Sequence, residues 1–287
     1  MDANALTWTQ GRIRKRLLLT MYCKFRARWS GHRLLRDSLV PGEVTRDFGA
    51  EQIADALSSI NHIIADFDQI VEIAISNGFV LDRLHGTGYL SQRTAREMQV
   101  VGVAARASGI DEDARHDHPF AAYATLPPRV IVHREGDVWA RLMVRVEETR
   151  EAVRLISAAL EALPDGSLAV PLDSLPEGEG AFGLVEGWRG PIWHWIVAGR
   201  NNTLQRVKIK DPSFANWPAL NYAILENIVP DFPLVNKSFN LSYAGNECRF
   251  LGRRAFRPLS PPYTVRCHRA AQAETACLED AILEEDR

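Results

Sequence analysis

Apolar residues recur every three or four positions in two long stretches of the chain. The first runs over residues 50–76, and the second runs over residues 138–163, between Asp137 and Pro164. This spacing brings the apolar side chains to one side of a helix, so it predicts two long amphipathic helices. We expect Asn77 and Gly78 to cap the C-terminus of the first helix and Asp137 to cap the N-terminus of the second.

Shorter elements are predicted between these two helices. Residues 79–88 are expected to form a short extended link, and Ser91 is expected to cap a helix that ends near Met98. Gly102 and Gly109 bound a stretch of small residues that can pack closely. On the second long helix, the polar side is predicted to face solvent and carries Arg141, Arg145, Glu148, Glu151 and Glu161.

After a link rich in proline and glycine, the apolar period changes to two. Residues 181–186, 192–197 and 204–210 are separated by turn-forming clusters and predict three short antiparallel strands. Asp211 and Pro212 then begin a helix that is expected to reach about residue 227. The predicted fold class is mainly α with a small antiparallel β meander, an α+β arrangement.

Composition excludes several functional classes. The 287 residues carry a net charge of −2, which gives no overall electrostatic footprint for nucleic acid, and no run of 18 apolar residues could cross a bilayer. We therefore expect a soluble chain, or one held at a membrane by its partners. The cysteines show no Cys-x-x-Cys spacing and are interpreted as reduced thiols without an assigned role: Cys23, Cys248, Cys267 and Cys277.

The two ends differ from the middle of the chain. Residues 1–29 form a basic, poorly patterned arm, and residues 246–287 are polar and expected to be loosely ordered. The arm is interpreted as a targeting segment, as a contact for an acidic surface, or as a solvated end. Residues 30–245 are predicted to form the main domain.

Four motif blocks in that domain, in this order and spacing, resemble those of one known superfamily. The blocks are residues 30–42, beginning Ser-Gly-His-Arg, residues 86–123, residues 136–148, beginning Gly-Asp-Val-Trp-Ala-Arg, and residues 206–245. They resemble the large subunits shared by nickel-iron hydrogenases and the 49 kDa component of NADH-quinone oxidoreductase. The resemblance implies a helical bundle of the nickel-iron hydrogenase large-subunit type.

The last block departs from the hydrogenase pattern at its end. In the hydrogenases this segment ends in Cys-x-x-Cys, whereas here the place is held by Ser242-Tyr-Ala-Gly245. Thiolates are the soft ligands that hold nickel and iron, and a hydroxyl with a glycine cannot replace two of them. The chain is therefore expected to hold no nickel and no other metal.

The resemblance implies a component of a membrane-associated oxidoreductase complex. Such a subunit holds no flavin or NAD, takes electrons from the cluster of a small iron-sulfur partner subunit, and passes them toward quinone. Membrane subunits of the same complex are the other implied partners, and the implied location is the cytoplasmic, peripheral face of the inner membrane. The chain itself is expected to hold no cofactor.

The N-terminal residues that contact quinone in relatives have no matching positions, so the chain is expected to be truncated or replaced at both ends. Two alternatives to a catalytic subunit follow from this. One is a non-catalytic scaffold or assembly module that keeps only the partner-binding bundle. The other is a truncated hydrogenase-like large subunit.

Four charged residues lie in the motif that faces the active-site cavity in relatives: Arg106, Asp111, Arg115 and Asp117. By resemblance they are the candidate catalytic residues, since buried paired charges shift one another's pKa and can conduct protons. The alternative interpretation is a structural network of ion pairs. His116, Asp117 and His118 form the one compact group with metal-ligand chemistry, although loop hydrogen bonding or a partner contact explains them better.

Two further groups have mainly structural interpretations. The three-residue step from Arg145 to Glu148 predicts a surface ion pair on the second long helix. Trp188, Trp193, Trp195 and Trp217 cluster around the meander and are interpreted as core or interface anchors. The sequence has no nucleophile elbow, no phosphate loop and no complete dinucleotide fingerprint, which argues against hydrolase and nucleotide-binding functions.

Overall fold

The computed structural model describes residues 26–27, 30–32 and 34–246. Most of the predicted basic arm, the predicted tail and all four cysteines lie outside these residues. In chain order, the strands and α-helices of the described part are β1 (Leu39–Val40), β2 (Glu43–Val44), α1 (Ala50–Ile75), α2 (Gly78–Leu84), α3 (Gln92–Glu97), α4 (Gly102–Ala107), α5 (Ala114–Asp117), α6 (Val138–Glu161), β3 (Gly180–Gly187), β4 (Gly190–Ala198), β5 (Leu204–Lys210), α7 (Pro212–Ala223) and α8 (Phe232–Phe239).

The helices pack around one main hydrophobic core. Helices α1 and α4 both pack against the long helix α6, and α7 and α8 close the core from the C-terminal side. Among its most buried members are Leu90, Ala105, Ala219 and Val235, whose side chains are at most 1% exposed. The mainly helical fold class with a small antiparallel meander is confirmed.

The segment after α1 is helical, so the predicted extended link over residues 79–88 is wrong. The Asn77 side chain accepts hydrogen bonds from the backbone N–H groups of Phe79 and Val80, and it thereby caps the N-terminus of α2. The C-terminal cap of α1 is Ser76, one residue before the predicted Asn77-Gly78 pair. One seven-residue helix is too short to show a clear apolar period, which explains the error.

The other predicted N-terminal caps are confirmed. Side-chain oxygens of Ser91, Asp137 and Asp211 accept hydrogen bonds from backbone N–H groups in the first turns of α3, α6 and α7. Helix α7 ends at Ala223 rather than near residue 227. Pro233 stands in the first turn of α8, where a missing N–H costs nothing.

The three predicted strands form an antiparallel sheet in the order β3-β4-β5. Its β3-β4 turn approaches α4 very closely. Gly102 has a φ of +66°, and a Cβ atom on it would lie 2.2 Å from the backbone oxygen of Arg189. Only glycine fits this contact, because any side chain would separate the meander from the helices.

The polar side of α6 does not face solvent as predicted. Arg141 is completely buried and Glu151 is 7% exposed, whereas the apolar Ile156 is 45% exposed. The helix is covered from several directions by α1, α4 and α8, so the division into one apolar and one polar side fails. Charged side chains buried in this way require internal partners.

Candidate functional site

Arg106 is the centre of a buried network of charges. Helix α4 places its guanidinium, 1% exposed, between α6 and β3. Its Nε donates to Glu148 Oε1 at 2.7 Å, and its Nη1 donates to Glu186 Oε1 at 3.2 Å and to the carbonyl of Glu112 at 2.9 Å. One arginine therefore joins a helix, a loop and the meander.

Arg115 extends this network through Asp113. Its Nε and Nη2 donate to the two carboxylate oxygens of Asp113 at 2.9 and 2.6 Å, a bidentate pair. Asp113 Oδ2 also lies 3.8 Å from Arg106 Nη1, so this carboxylate stands between two cations. The structure thus brings Arg106 and Arg115 together through an intermediate acid.

The other two candidate residues lie at the edge of the network. Asp117 is exposed, and its Oδ2 accepts a hydrogen bond from the backbone N–H of Asp113 at 2.9 Å. Asp111 is exposed as well and belongs to none of the ion pairs of the network. The four predicted residues therefore divide into a buried cation, Arg106, a half-buried cation, Arg115, and two accessible carboxylates.

The network shifts the pKa values of its members in different directions. Burial raises the pKa of Glu186, and the opposing charge of Arg106 does not outweigh it. Burial also disfavours the Asp113 carboxylate, but the hydrogen bond from Arg115 and the charge of Arg106 prevail and lower its pKa. Burial opposes the charge of Arg106, yet Glu148, Glu186 and Asp113 together raise its pKa. Of Asp113 and Glu186, Glu186 is therefore the more readily protonated acid.

A second group of cations lies on the next turns of α6. Arg141 donates to the carbonyls of Gly136 and Gly88 at 2.8 and 2.7 Å and to Ser238 Oγ at 2.9 Å. Burial lowers its pKa to about 9, and the nearby charge of Arg145 adds to the effect. Carbonyl oxygens and the ring of Phe239, 4.5 Å away, take the place of a counter-ion.

The predicted surface pair of Arg145 and Glu148 is wrong. Arg145 donates instead to the backbone carbonyls of Arg141 and Phe239, and burial lowers its pKa to about 10. Glu148 is committed to Arg106 across the interface with α4. The three-residue spacing describes neighbours on an isolated helix, but here another helix supplies the better partner.

Asp113, Glu148 and Glu186 are the network members that were not singled out as site residues from the sequence. They lie 7, 42 and 80 residues from Arg106 in the chain, so no local spacing connects them. The useful signal was present in β3, where Glu186 interrupts an otherwise apolar and glycine-rich strand. A lone acid in such a strand indicates a buried partner.

The His116 group makes a local hydrogen bond as expected, and Trp217 packs against the core, whereas other tryptophans do not fit a core interpretation. His116 and Asp117 share the one-turn helix α5, where their side chains contact each other at 3.1 Å, and no group of metal ligands converges among the residues that the structure describes. Trp188 and Trp193 are 61% and 41% exposed, so they are not core residues. The interface interpretation of these two tryptophans stays a prediction.

The segment that ends in Cys-x-x-Cys in hydrogenases forms a closed turn here. The backbone N–H of Gly245 donates to Ser242 Oγ at 3.1 Å, and the N–H of Ser242 donates to Ser213 Oγ at 3.0 Å. A Cβ atom on Gly245 would lie 2.6 Å from Asp211 Cγ. The turn therefore has no room for a second thiol-bearing side chain in this conformation.

Comparison with known proteins assigns the family. Residues 4–177 match the family described as respiratory-chain NADH dehydrogenase, 49 kDa subunit. The chain belongs to this family. The match contains every buried member of the Arg106 network except Glu186, which lies on the meander beyond it.

Curated relatives of this 49 kDa family member carry both hydrogenase and quinone oxidoreductase names. Hydrogenase-4 component G of Escherichia coli is 32% identical over 203 residues, which are 71% of this chain and 34% of that protein. A subunit of the NADH-quinone oxidoreductase of Clostridium beijerinckii is 30% identical over 202 residues, which are 69% of this chain and 52% of that protein. The chain thus spans about a third to a half of the length of these relatives.

A solved structure shows the same fold. The membrane-bound sulfane sulfur reductase, an archaeal respiratory membrane complex, contains a chain that superposes with a TM-score of 0.69 at 24% identity, covering 76% of this chain and 63% of that one. Among the described residues of our chain, no helix is both long and apolar enough to cross a bilayer.

Proposed function

We propose that the chain is a subunit of a membrane-associated oxidoreductase complex, which takes electrons from an iron-sulfur partner subunit toward quinone and holds no nickel of its own. Family membership and the names of the relatives support the class of complex. The turn at Ser242–Gly245 supports the nickel-free part of this proposal, because a side chain at residue 245 would collide with Asp211. Thiolate ligation there would require a different backbone.

Metal analysis of the complex, purified from its host through a tag on this chain, tests the nickel-free part. We expect iron from the partner subunit and no nickel in proportion to the tagged chain. Ser242→Cys/Gly245→Cys is the matched variant, and it should remain without nickel because the second cysteine disturbs the turn. Stoichiometric nickel in the unmodified complex would refute the proposal.

Quinone reduction by the same purified complex tests the catalytic part. Asp111 and Asp117 are the accessible carboxylates beside the buried network, and we propose that they line the path of protons to the acceptor. Asp111→Asn and Asp117→Asn should lower turnover without disturbing assembly. Asp165→Asn, an exposed acid in the link after α6, is the control and should leave turnover unchanged.

A scaffold without turnover is the second candidate, and one observation favours it. The charges of Arg106 and Arg115 are already matched by buried carboxylates, an arrangement that also serves purely to fix segments together. A complex that contains the iron-sulfur partner but reduces no quinone would support the scaffold. Quinone reduction that disappears in Asp111→Asn would support the catalytic subunit.

A further inference from the structure

One face of the meander carries aromatic and basic side chains, most of which are exposed. Only the β3-β4 end of this face is covered by described residues, where Glu186 contacts Arg106. In antiparallel strands, directly opposite residues share a face, and every second residue along a strand returns to it. The pairings of β3, β4 and β5 place six such side chains together: Phe182, Trp193, Trp195, Arg206, Lys208 and Lys210. We call these six residues the basic-aromatic face.

The cations of this face have no acidic partner in the described part of the chain. Arg206, Lys208 and Lys210 are all exposed, and none of them forms an ion pair with a described residue. Arg206 lies over the ring of Trp195 with its Cζ 5.9 Å from the centroid. Phe182 is 76% exposed and stacks on the same tryptophan. The face therefore offers positive charge beside apolar rings.

We propose that the acidic C-terminal stretch of this same chain, residues 278–286, binds to the basic-aromatic face. This stretch lies outside the described residues. Its sequence complements both the positive charge and the apolar rings of the face. It carries five acids, Glu279, Asp280, Glu284, Glu285 and Asp286, interleaved with the apolar Leu278, Ile282 and Leu283. Opposite charges across a contact attract, and aliphatic side chains remove aromatic surface from water.

The path of the chain favours this occupant. Gly245 packs against Asp211, the residue that directly follows Lys210 at the end of β5, so the described chain ends beside the face. From residue 246 to Glu279 the chain has 33 residues (279 − 246), which can span up to about 110 Å when extended. Strand β5 is only about 23 Å long, so the linking segment is long enough for the acidic stretch to contact any part of the face. Being in one chain also raises the effective concentration of the acidic stretch.

The contact does not depend on the proposed redox function. It would cover the exposed rings of the meander until a partner that binds more tightly displaces the acidic stretch. Because the attraction acts between exposed charges, it should weaken at high salt concentration.

Zero-length carbodiimide cross-linking of the full-length chain tests the proposal directly, since it joins lysine amines only to carboxylates in contact. We expect Lys208 and Lys210 to link to residues 279–286 at least about tenfold more often than Lys237, an exposed lysine on α8. A mixture of isotopically light and heavy protein distinguishes links within one chain from links between copies. Equal yields for all three lysines, or links only between copies, would overturn the proposal.

Lysine acetylation rates give a second measurement that does not depend on cross-linking yield. In the variant with Glu279→Gln, Asp280→Asn, Glu284→Gln, Glu285→Gln and Asp286→Asn, we expect Lys208 and Lys210 to react several-fold faster than in the unmodified chain. Lys237 should react at the same rate in both. Unchanged rates at Lys208 and Lys210, or protection of these lysines only by anionic lipid vesicles, would contradict the proposal.

Discussion

At the scale of single residues, Arg106 has more carboxylate partners than any other cation of its network. Its guanidinium is matched by two carboxylates within hydrogen-bond distance and a third at 3.8 Å. Removal of one member of such a group leaves the others as uncompensated charges in a dry environment. The whole arrangement is therefore more sensitive to the loss of Arg106 than to the loss of any exposed charge.

We expect Arg106→Met to lower the free energy of unfolding by about 3–5 kcal/mol, because Glu148 and Glu186 lose their buried partner. Urea unfolding followed by circular dichroism measures the change. Arg93→Met removes an exposed helical pair with Glu97 and serves as the control, with an unchanged midpoint. Equal midpoints for both variants would show that the network contributes little to stability.

Glu186 gives a pH dependence with a defined sign. Its pKa in the folded chain lies above the ordinary value of 4.5, so the folded state holds this proton more tightly than the unfolded state. Its contribution to stability is complete below pH 4.5 and decreases as the pH rises through the folded-state pKa. In Glu186→Gln, unfolding measured from pH 4.5 to neutral pH should lack this decrease.

The acid limb of the same profile provides the control. The pKa of Asp113 is lowered below its ordinary value of 3.8, so its contribution is present above that pH and is lost as the pH falls further. Glu186→Gln should keep this acid limb unchanged. A stability that rises toward neutral pH only in the unmodified chain would contradict the assignment to Glu186.

At the scale of elements, the junction between α4 and the meander depends on a glycine. A methyl group on Gly102 would lie 2.2 Å from the Arg189 carbonyl oxygen, and the backbone there has a positive φ. We expect Gly102→Ala to cost about 1–3 kcal/mol of unfolding free energy, since the strands must shift. Gly183→Ala, in β3 with open space around it, is the control and should cost much less in thermal unfolding.

Elements whose signals are local were predictable from the sequence, whereas contacts between distant segments were not. The strands followed from turn clusters and a period of two, and the caps at Ser91, Asp137 and Asp211 followed from side-chain chemistry. Helix α2 was missed because seven residues are too few to define a period. The resemblance indicates Arg106 and Arg115 as candidate residues. Their carboxylate partners cannot be predicted in this way, because they depend on how separate segments pack.

At the scale of the whole molecule, stability should be unevenly distributed. Helices α2 to α4 and α6 to α8 contribute buried residues to one core. In contrast, the residues of β5 are all exposed, and the sheet joins the rest mainly near its β3-β4 turn. Regions with little buried apolar surface open locally at a lower free energy than the core. The meander is therefore expected to open before the helices do.

Native-state hydrogen exchange measures this difference. Amides of Leu204–Lys210 should exchange at a lower opening free energy than those of Val138–Glu161, and the β3 amides near Glu186 should be intermediate because Arg106 holds that end. Arg106→Met should bring the two ends of β3 to the same exchange rate. Uniform protection across the sheet and helix α6 would contradict an unevenly stable molecule.

The close approach of Gly102 to the β3-β4 turn, at Arg189 and Gly190, has a mechanical consequence. No side chain lies between the two glycines, so the meander can move against α4 only by turning about this backbone contact. Glu186 is four residues from Gly190. A force applied at the far end of the sheet, where β5 is exposed, would tilt Glu186 relative to Arg106. Binding of another molecule to the exposed strands would therefore act on the hydrogen bond between Arg106 and Glu186.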